Sequence, residues 1–439
     1  MNSPLCQREG RGMLSQPYER ENSLYFLYNL LLPLLLAVLS PLVFIKLLGD
    51  KSWREGFRQR FFIDSSILKG LAGEPPLWFH AASVGEVNAS AKLLSEMRER
   101  WPHRKLVVST FTPTGLKAAK EKLGADAVFF LPLDLSFIVK RTMRKINPQM
   151  LILMETEIWP NLIRECGRKD IPVVIVNGRI SDKSFGKYRR LKLLLKELFK
   201  YVSLVLTQSE ESTERFLLLG AGAGKVMTTG NLKFDMHVKN KPLRAMEKWG
   251  GPLFIAGSTR DEEEEKVLSA YLHARRKHPD LKLVLAPRHL HRTEAVEKIL
   301  TGKNLPYEKF SQLDESISRE VLLVDTLGEL SSLYPYGDVV FVGGSLVPMG
   351  GQNMLEPALC GKPLLFGPHV ENFREAARIL TEGGGALIVK NSDELGQTVI
   401  KLLNDPPLRT SMGYRAKASI IAHSGAAEKT INALATFLE

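Results

Sequence analysis

The 439-residue chain carries 60 Lys+Arg against 48 Asp+Glu, a net charge of +12 at pH 7, with 44% hydrophobic and 25% charged residues. That composition excludes a disordered chain and suffices for two α/β domains of ordinary size. Only Cys6, Cys166 and Cys360 are available as thiols, far apart and without metal-type spacing, which excludes a disulfide framework and points to a reducing compartment. The basic excess calls for an anionic partner, either a nucleic acid or an acidic membrane surface.

In chain order, residues 1–24 read as a polar tail and 25–48 as a membrane anchor. Tyr25 to Leu48 is nearly all apolar and has the length of the roughly 20 residues a bilayer crossing needs. Pro33 and Pro41 allow instead a bent helix pair lying on the bilayer. Basic residues follow at Lys46, Lys51, Arg54, Arg58 and Arg60, which by the positive-inside bias keeps the rest of the chain in the cytoplasm. The membrane, and not a nucleic acid, becomes the expected partner. From 49 to 235 apolar runs alternate with amphipathic stretches. Strands are expected at Leu77–Ala81, Leu106–Thr110, Ala127–Leu131, Met150–Met154, Val173–Val176 and Leu204–Gln208, with helices such as Val87–Arg100 and Gly115–Leu123 between them. A polar linker over 236–252 leads to a second series over 253–439, with strands at Leu253–Ala256, Lys282–Ala286, Val321–Val324, Val339–Val342 and Pro363–Phe366. Strands this apolar, separated by helices, imply parallel sheets covered on both faces. Ligands in such folds gather at the carboxyl ends of the strands.

Chemistry-bearing residues fall at those ends. After Val339–Val342 come Gly343-Gly344, a second pair Gly350-Gly351, and a helix start near Asn353, a pattern suited to a phosphate. Asn353 and Glu356, three apart, face one side of a helical turn, where a carboxylate can accept bonds from ribose hydroxyls. Glu86 opens the helix after the first strand, where the dipole favours an ionised carboxylate able to act as a base; a plain helix-start acid has the same signature. Glu155 and Glu157 end the fourth strand, an expensive place for two acids unless they are bonded or functional. Lys233 closes the first series. The Ala256-Gly-Ser-Thr259 loop offers hydroxyls to a phosphate, Arg288 ends the next strand, and Asp261–Glu265 reads as an acidic helix start. Gly186 to Tyr201 reads as one basic amphipathic helix near lipid headgroups. No Asp-x-Asp pair occurs, so cations and helix N-termini, without metal or cofactor, are expected to stabilise a leaving nucleotide.

Five blocks, Ala82-Ser-Val-Gly-Glu86, Met154-Glu-Thr-Glu-Ile-Trp-Pro160, Gly230-Asn-Leu-Lys-Phe-Asp235, Ala286-Pro-Arg-His289 and Gly351-Gln-Asn-Met-Leu-Glu-Pro357, resemble in their order the 3-deoxy-D-manno-octulosonic acid (Kdo) transferases. The resemblance implies an α/β GT-B fold, two Rossmann-like domains facing a central cleft. It implies an inverting transfer of Kdo from CMP-Kdo to the lipid A precursor lipid IVA in lipopolysaccharide synthesis, on the cytoplasmic side of the bacterial inner membrane. Glu86 then falls on the family's catalytic base, and Glu155 and Lys233 on positions that support the transition state. The CMP contacts fall on Pro287 and Arg288, on Leu327, Gly328 and Glu329, and on Asn353, Met354, Leu355 and Glu356. Gln352 departs from many relatives, which carry His or another residue before the Asn. Two other readings remain: a GT-B transferase using a UDP-sugar on another lipid, and a non-catalytic membrane-bound nucleotide-binding protein.

Overall fold

The computed structural model describes residues 18–49, 51–61, 71, 75–236 and 242–439. The start of the polar tail, with Cys6, and part of the expected linker lie outside them. The chain divides into two compact units, one of residues up to Asp235 plus Gly425–Glu439, the other Met236–Ser424.

The first unit is built on seven parallel strands: β1 (Leu77–His80), β2 (Leu106–Thr110), β3 (Ala127–Phe130), β4 (Met150–Met154), β5 (Val173–Gly178), β6 (Leu204–Thr207) and β7 (Val226–Thr228). Their order is β3-β2-β1-β4-β5-β6-β7, so the order in which strands are added reverses direction between the parallel neighbours β1 and β4. Residue alternation sends Leu77 and Phe79 of β1 into one buried cluster and Trp78 into the other, on opposite faces of the sheet. The second unit repeats the plan with β8 (Leu253–Thr259), β9 (Lys282–Pro287), β10 (Tyr307–Lys309), β11 (Val321–Leu323), β12 (Val339–Val342), β13 (Leu364–Phe366) and β14 (Ala386–Ile388). Its order is β10-β11-β9-β8-β12-β13-β14, again all parallel, with the reversal between β8 and β12. All eleven strands expected from sequence form. The three not expected, β7, β10 and β14, are three-residue edge strands that keep one or both faces partly in solvent, so they lack the apolar run that marks a buried strand.

Two boundaries differ from expectation. The last helix, Ala426–Leu438, belongs to the first unit, not to the 253–439 half. Its Ala426, Ala427, Ile431, Leu434 and Leu438 join the core formed by Leu93, Leu94 and Met97 of the helix Val84–Arg100. The Asp235 carboxylate accepts the backbone N–H groups of Gly425 and Ala427 at its start. At the other end the apolar segment is one helix, Tyr18–Gly49, that begins seven residues before Tyr25 and contains both prolines. Pro41 has no N–H for the carbonyl of Ala37, and the Ser40 hydroxyl donates to that oxygen instead, at 2.7 Å. Among the described residues no helix is long and apolar enough to cross a membrane. Arg60, one of the basic residues that follow the apolar segment, lies over the rings of Phe111 and Phe130. The expected basic helix over 186–201 is two helices, Asp182–Arg190 and Lys192–Phe199, that meet at Leu191.

Candidate active site

In the first unit the direction reversal of the sheet brings the loop after β1 beside the loop after β4. Ser83 caps the helix Val84–Arg100 and Glu86 sits in its first turn. The Ser83 hydroxyl accepts the Glu86 N–H at 3.4 Å and donates to the Glu86 carboxylate at 2.9 Å, while the Ala82 N–H donates to the other carboxylate oxygen at 2.8 Å, a reciprocal arrangement of the capping-box kind. These bonds favour the anion. Burial, at 8% exposure, and the charges of Glu155 and Glu157 oppose it, and burial dominates. The carboxyl is thereby pushed up to about 7. The expectation of a fully ionised Glu86 at neutral pH is corrected: loss of solvent outweighs the helix dipole.

Glu155 and Lys233 come together. The Lys233 ammonium lies 3.7 Å from the Glu155 carboxylate, both side chains part-exposed. Glu155 holds a φ of 57°, a left-handed conformation that costs a residue with a Cβ about 1 kcal/mol or more. Asn177, at the end of β5, shares it with a φ of 56°. Its side-chain oxygen accepts the Leu232 N–H at 2.9 Å, and so fixes the turn that carries Lys233. Glu155 and Glu157, expected to end the fourth strand, both lie beyond β4, Glu155 in a turn and Glu157 just after it. Glu157 accepts the Trp159 indole N–H at 3.1 Å and stands 3.7 Å from His80 Nε2. His80 is a buried strand residue, and its Nδ1 meets Ser109. Asn177 was missed because its role depends on a turn more than fifty residues later.

In the second unit the glycine loop after β12 takes an unexpected occupant. The buried Glu263 carboxylate accepts the N–H groups of Gly344, Ser345 and Leu346 at 2.6, 3.0 and 2.8 Å, and that of Arg260 at 3.1 Å. The anion held there is the protein's own, which corrects the assignment of Gly343-Gly344 to a phosphate. The acidic run does open a helix, Glu263–Arg275, but Glu263 and Glu264 are buried within it. Gly343 is required for close approach: a Cβ there would meet the Ser258 carbonyl at 2.6 Å. Thr259 is likewise not offered outward, since its side chain is buried at the end of β8.

The exposed groups lie one layer out. Pro287 is buried and ends β9; Arg288 is exposed and its Nε donates to Gln352 Oε1 at 3.2 Å. Arg260 contacts His289 Nε2. Loss of solvent, then the charges of Arg260, Arg288 and His291, hold the His289 imidazole below its usual value. Leu327 is 67% exposed and Gly328, with φ 94°, turns the chain into Glu329. Asn353 donates to Glu356 at 3.0 Å and accepts the Leu355 N–H at 3.0 Å, so that pair is brought together. Met354 and Leu355 are buried and have only backbone to offer a ligand. Arg260 was not singled out in the sequence, where nothing local distinguishes it from a surface residue, and Gln352 stood out only as a departure from the relatives' pattern.

The fold is shared with solved structures of low identity. UDP-GlcNAc 2-epimerase from Neisseria meningitidis superposes with a TM-score of 0.56 at 12% identity, over 82% of this chain and 100% of that one. A glycosyltransferase from Rickettsia africae superposes with a TM-score of 0.55 at 10% identity, over 84% and 99%. The family model for 3-deoxy-D-manno-octulosonic-acid transferase matches residues 55–236. The 3-deoxy-D-manno-octulosonic acid transferase of Haemophilus influenzae is 36% identical over 92% of this chain and 97% of its own length. That of Chlamydia pneumoniae is 31% identical over 94% and 96%. Two Rossmann-like domains of the GT-B type, and relatives aligned along nearly their whole length, establish that this chain belongs to the Kdo transferase family of glycosyltransferases.

Proposed function

We propose that this enzyme moves Kdo from CMP-Kdo to a lipid A precursor such as lipid IVA, with inversion and without a metal. The observation that carries the reading is Glu86, buried beyond the carboxyl end of β1 beside the loop that follows β4, with its pKa raised to about 7 by its surroundings. A base with that property accepts the proton of the acceptor hydroxyl as its oxygen bonds to the anomeric carbon of Kdo. The bond from that carbon to the phosphate oxygen breaks, and CMP leaves with the electron pair. Lys233, paired with Glu155, supplies positive charge beside the reacting groups.

On the second domain, Arg288 with Gln352 suits the single phosphate of a CMP-sugar, Glu356 with Asn353 the ribose hydroxyls, and Leu327 and Gly328 one side of the base. Glu329 completes that loop. The phosphorylated lipid acceptor suits a basic chain. The N-terminal helix exposes Phe26, Leu30, Leu34 and Val38, and the helix Lys192–Phe199, with Leu193 72% exposed, packs against it. We place this surface on the cytoplasmic face of the bacterial inner membrane, resting on the bilayer. Mass spectrometry of the lipid after incubation with CMP-Kdo and lipid IVA, with and without EDTA, tests the reading. A mass gain of one or more Kdo units that survives EDTA is expected. Turnover only with a UDP-sugar, or none, overturns it.

A further inference from the structure

The N-terminal helix is gripped by the first domain through polar groups. Tyr28 donates its hydroxyl to Asp134 at 2.9 Å, and Tyr25 donates to the side-chain oxygen of Asn161. Asn29 and Asn161 exchange both amide bonds, at 3.2 and 3.0 Å. The Arg164 guanidinium lies 3.8 Å from the centre of the Tyr25 ring. Asp134 and Asn161 are 4% and 2% exposed, so these bonds are shielded from water and directional.

The same carboxylate has a second task. Asp134 accepts the backbone N–H groups of Asn161 and Leu162 at 2.8 and 2.9 Å. It thereby caps the helix Pro160–Arg168, whose own preceding residue, Trp159, supplies no side-chain cap. That helix directly follows the segment with Glu155 and Glu157. One buried carboxylate therefore joins the N-terminal helix to the element that ends the candidate acidic loop.

The helix's other side is apolar. With 3.6 residues per turn, positions 25, 28 and 29 share one face, and Phe26, Leu30, Leu34 and Val38 run as a stripe at intervals of four around the far side. All four of the latter are exposed. Apolar seating alone would leave the helix free to roll, whereas a reciprocal Asn–Asn pair and a Tyr–Asp bond fix its rotation.

We propose that Tyr28, Asn29, Asp134 and Asn161 form a latch of positioning residues that sets the orientation of the lipid surface relative to the Glu86 and Glu155 loops. This rests on the lipid-acceptor reading above. The latch holds the helix by its polar face, the bilayer takes the apolar face, and the catalytic carboxylates are thereby held at one height and tilt above their acceptor. A detergent-dispersed acceptor has no fixed plane and does not need the latch.

The test is a Tyr28→Phe/Asn29→Leu variant of the full chain, which keeps the apolar stripe and the buried Asp134 cap. Initial rates with CMP-Kdo are measured on lipid IVA in detergent micelles and in phosphatidylethanolamine–phosphatidylglycerol vesicles, together with vesicle flotation. The expected result is a kcat within about twofold of wild type in micelles, at least about tenfold lower on vesicles, and unchanged flotation. Equal rates on vesicles overturn the latch, as do equal losses in both formats or a loss of flotation, which would make the helix an affinity anchor only. If wild type transfers nothing in either format, the donor and acceptor reading has failed and the latch is decided separately. Spin labels at Val38→Cys and Lys140→Cys in nanodiscs, with Cys6 and Cys360 changed to Ser, should give a narrow distance distribution that broadens in the variant. Identical distributions overturn the latch.

Discussion

Burial of Glu86 beside Glu155 and Glu157 sets the pH range in which its carboxyl can take a proton. If it is the base, kcat/KM should rise about tenfold per pH unit below the value of about 7 and level off above it. A profile flat from about pH 5 upward would remove the assignment. The same shift acts on folding. Between the ordinary value of 4.5 and about 7 the folded protein retains a proton that the unfolded chain has released. The favourable contribution is therefore full below that window and is lost as pH rises through it. Glu86→Gln should flatten this dependence in denaturant titrations, leave CMP binding intact and lower kcat by roughly 100-fold or more. On the nucleotide side, Glu356→Ala should weaken CMP binding by about 1.5–3 kcal/mol, measured by calorimetry, if it holds the ribose through charge-assisted bonds. The position of Glu86 was legible in the sequence because Ser-x-x-Glu is a local signal. Its pKa was not, because the burial that dominates the shift comes from tertiary packing, and two more carboxylates arrive from about seventy residues away.

At the scale of elements, strands buried on both faces were readable as apolar runs, and the short edge strands were not. Loops were read less well. The strand-glycine-helix pattern at β12 was recognised, but its occupant comes from a helix start some eighty residues earlier in the chain. Glu263 satisfies four backbone donors at once, and its removal leaves those N–H groups without their acceptor. Glu263→Ala should therefore destabilise the second domain by about 3–5 kcal/mol, read as a lower thermal midpoint. A variant with wild-type stability would mean that the loop finds other acceptors. Similarly, the prolines of the N-terminal helix suggested a bend from sequence, while the Ser40 hydroxyl supplies the bond that Pro41 removes.

For the whole molecule, two Rossmann-like units and the site's distribution over strand ends could be read from hydrophobic periodicity alone. The return of the last helix could not, because an amphipathic segment says nothing about which sheet it covers. Asp235→Ala removes the two bonds that receive that helix and should destabilise the first domain by roughly 2–4 kcal/mol in urea titrations. The first domain is thus assembled from two separated stretches of the chain, with Met236–Ser424 between them. During synthesis the stretch Met236–Ser424 is complete while the helix that closes its neighbour is still unmade, so the second domain can finish folding first and the first must wait for Gly425–Glu439. A nascent chain stopped after Ser424 would hold a complete second domain beside a first domain with an open apolar flank, a target for chaperones and proteases.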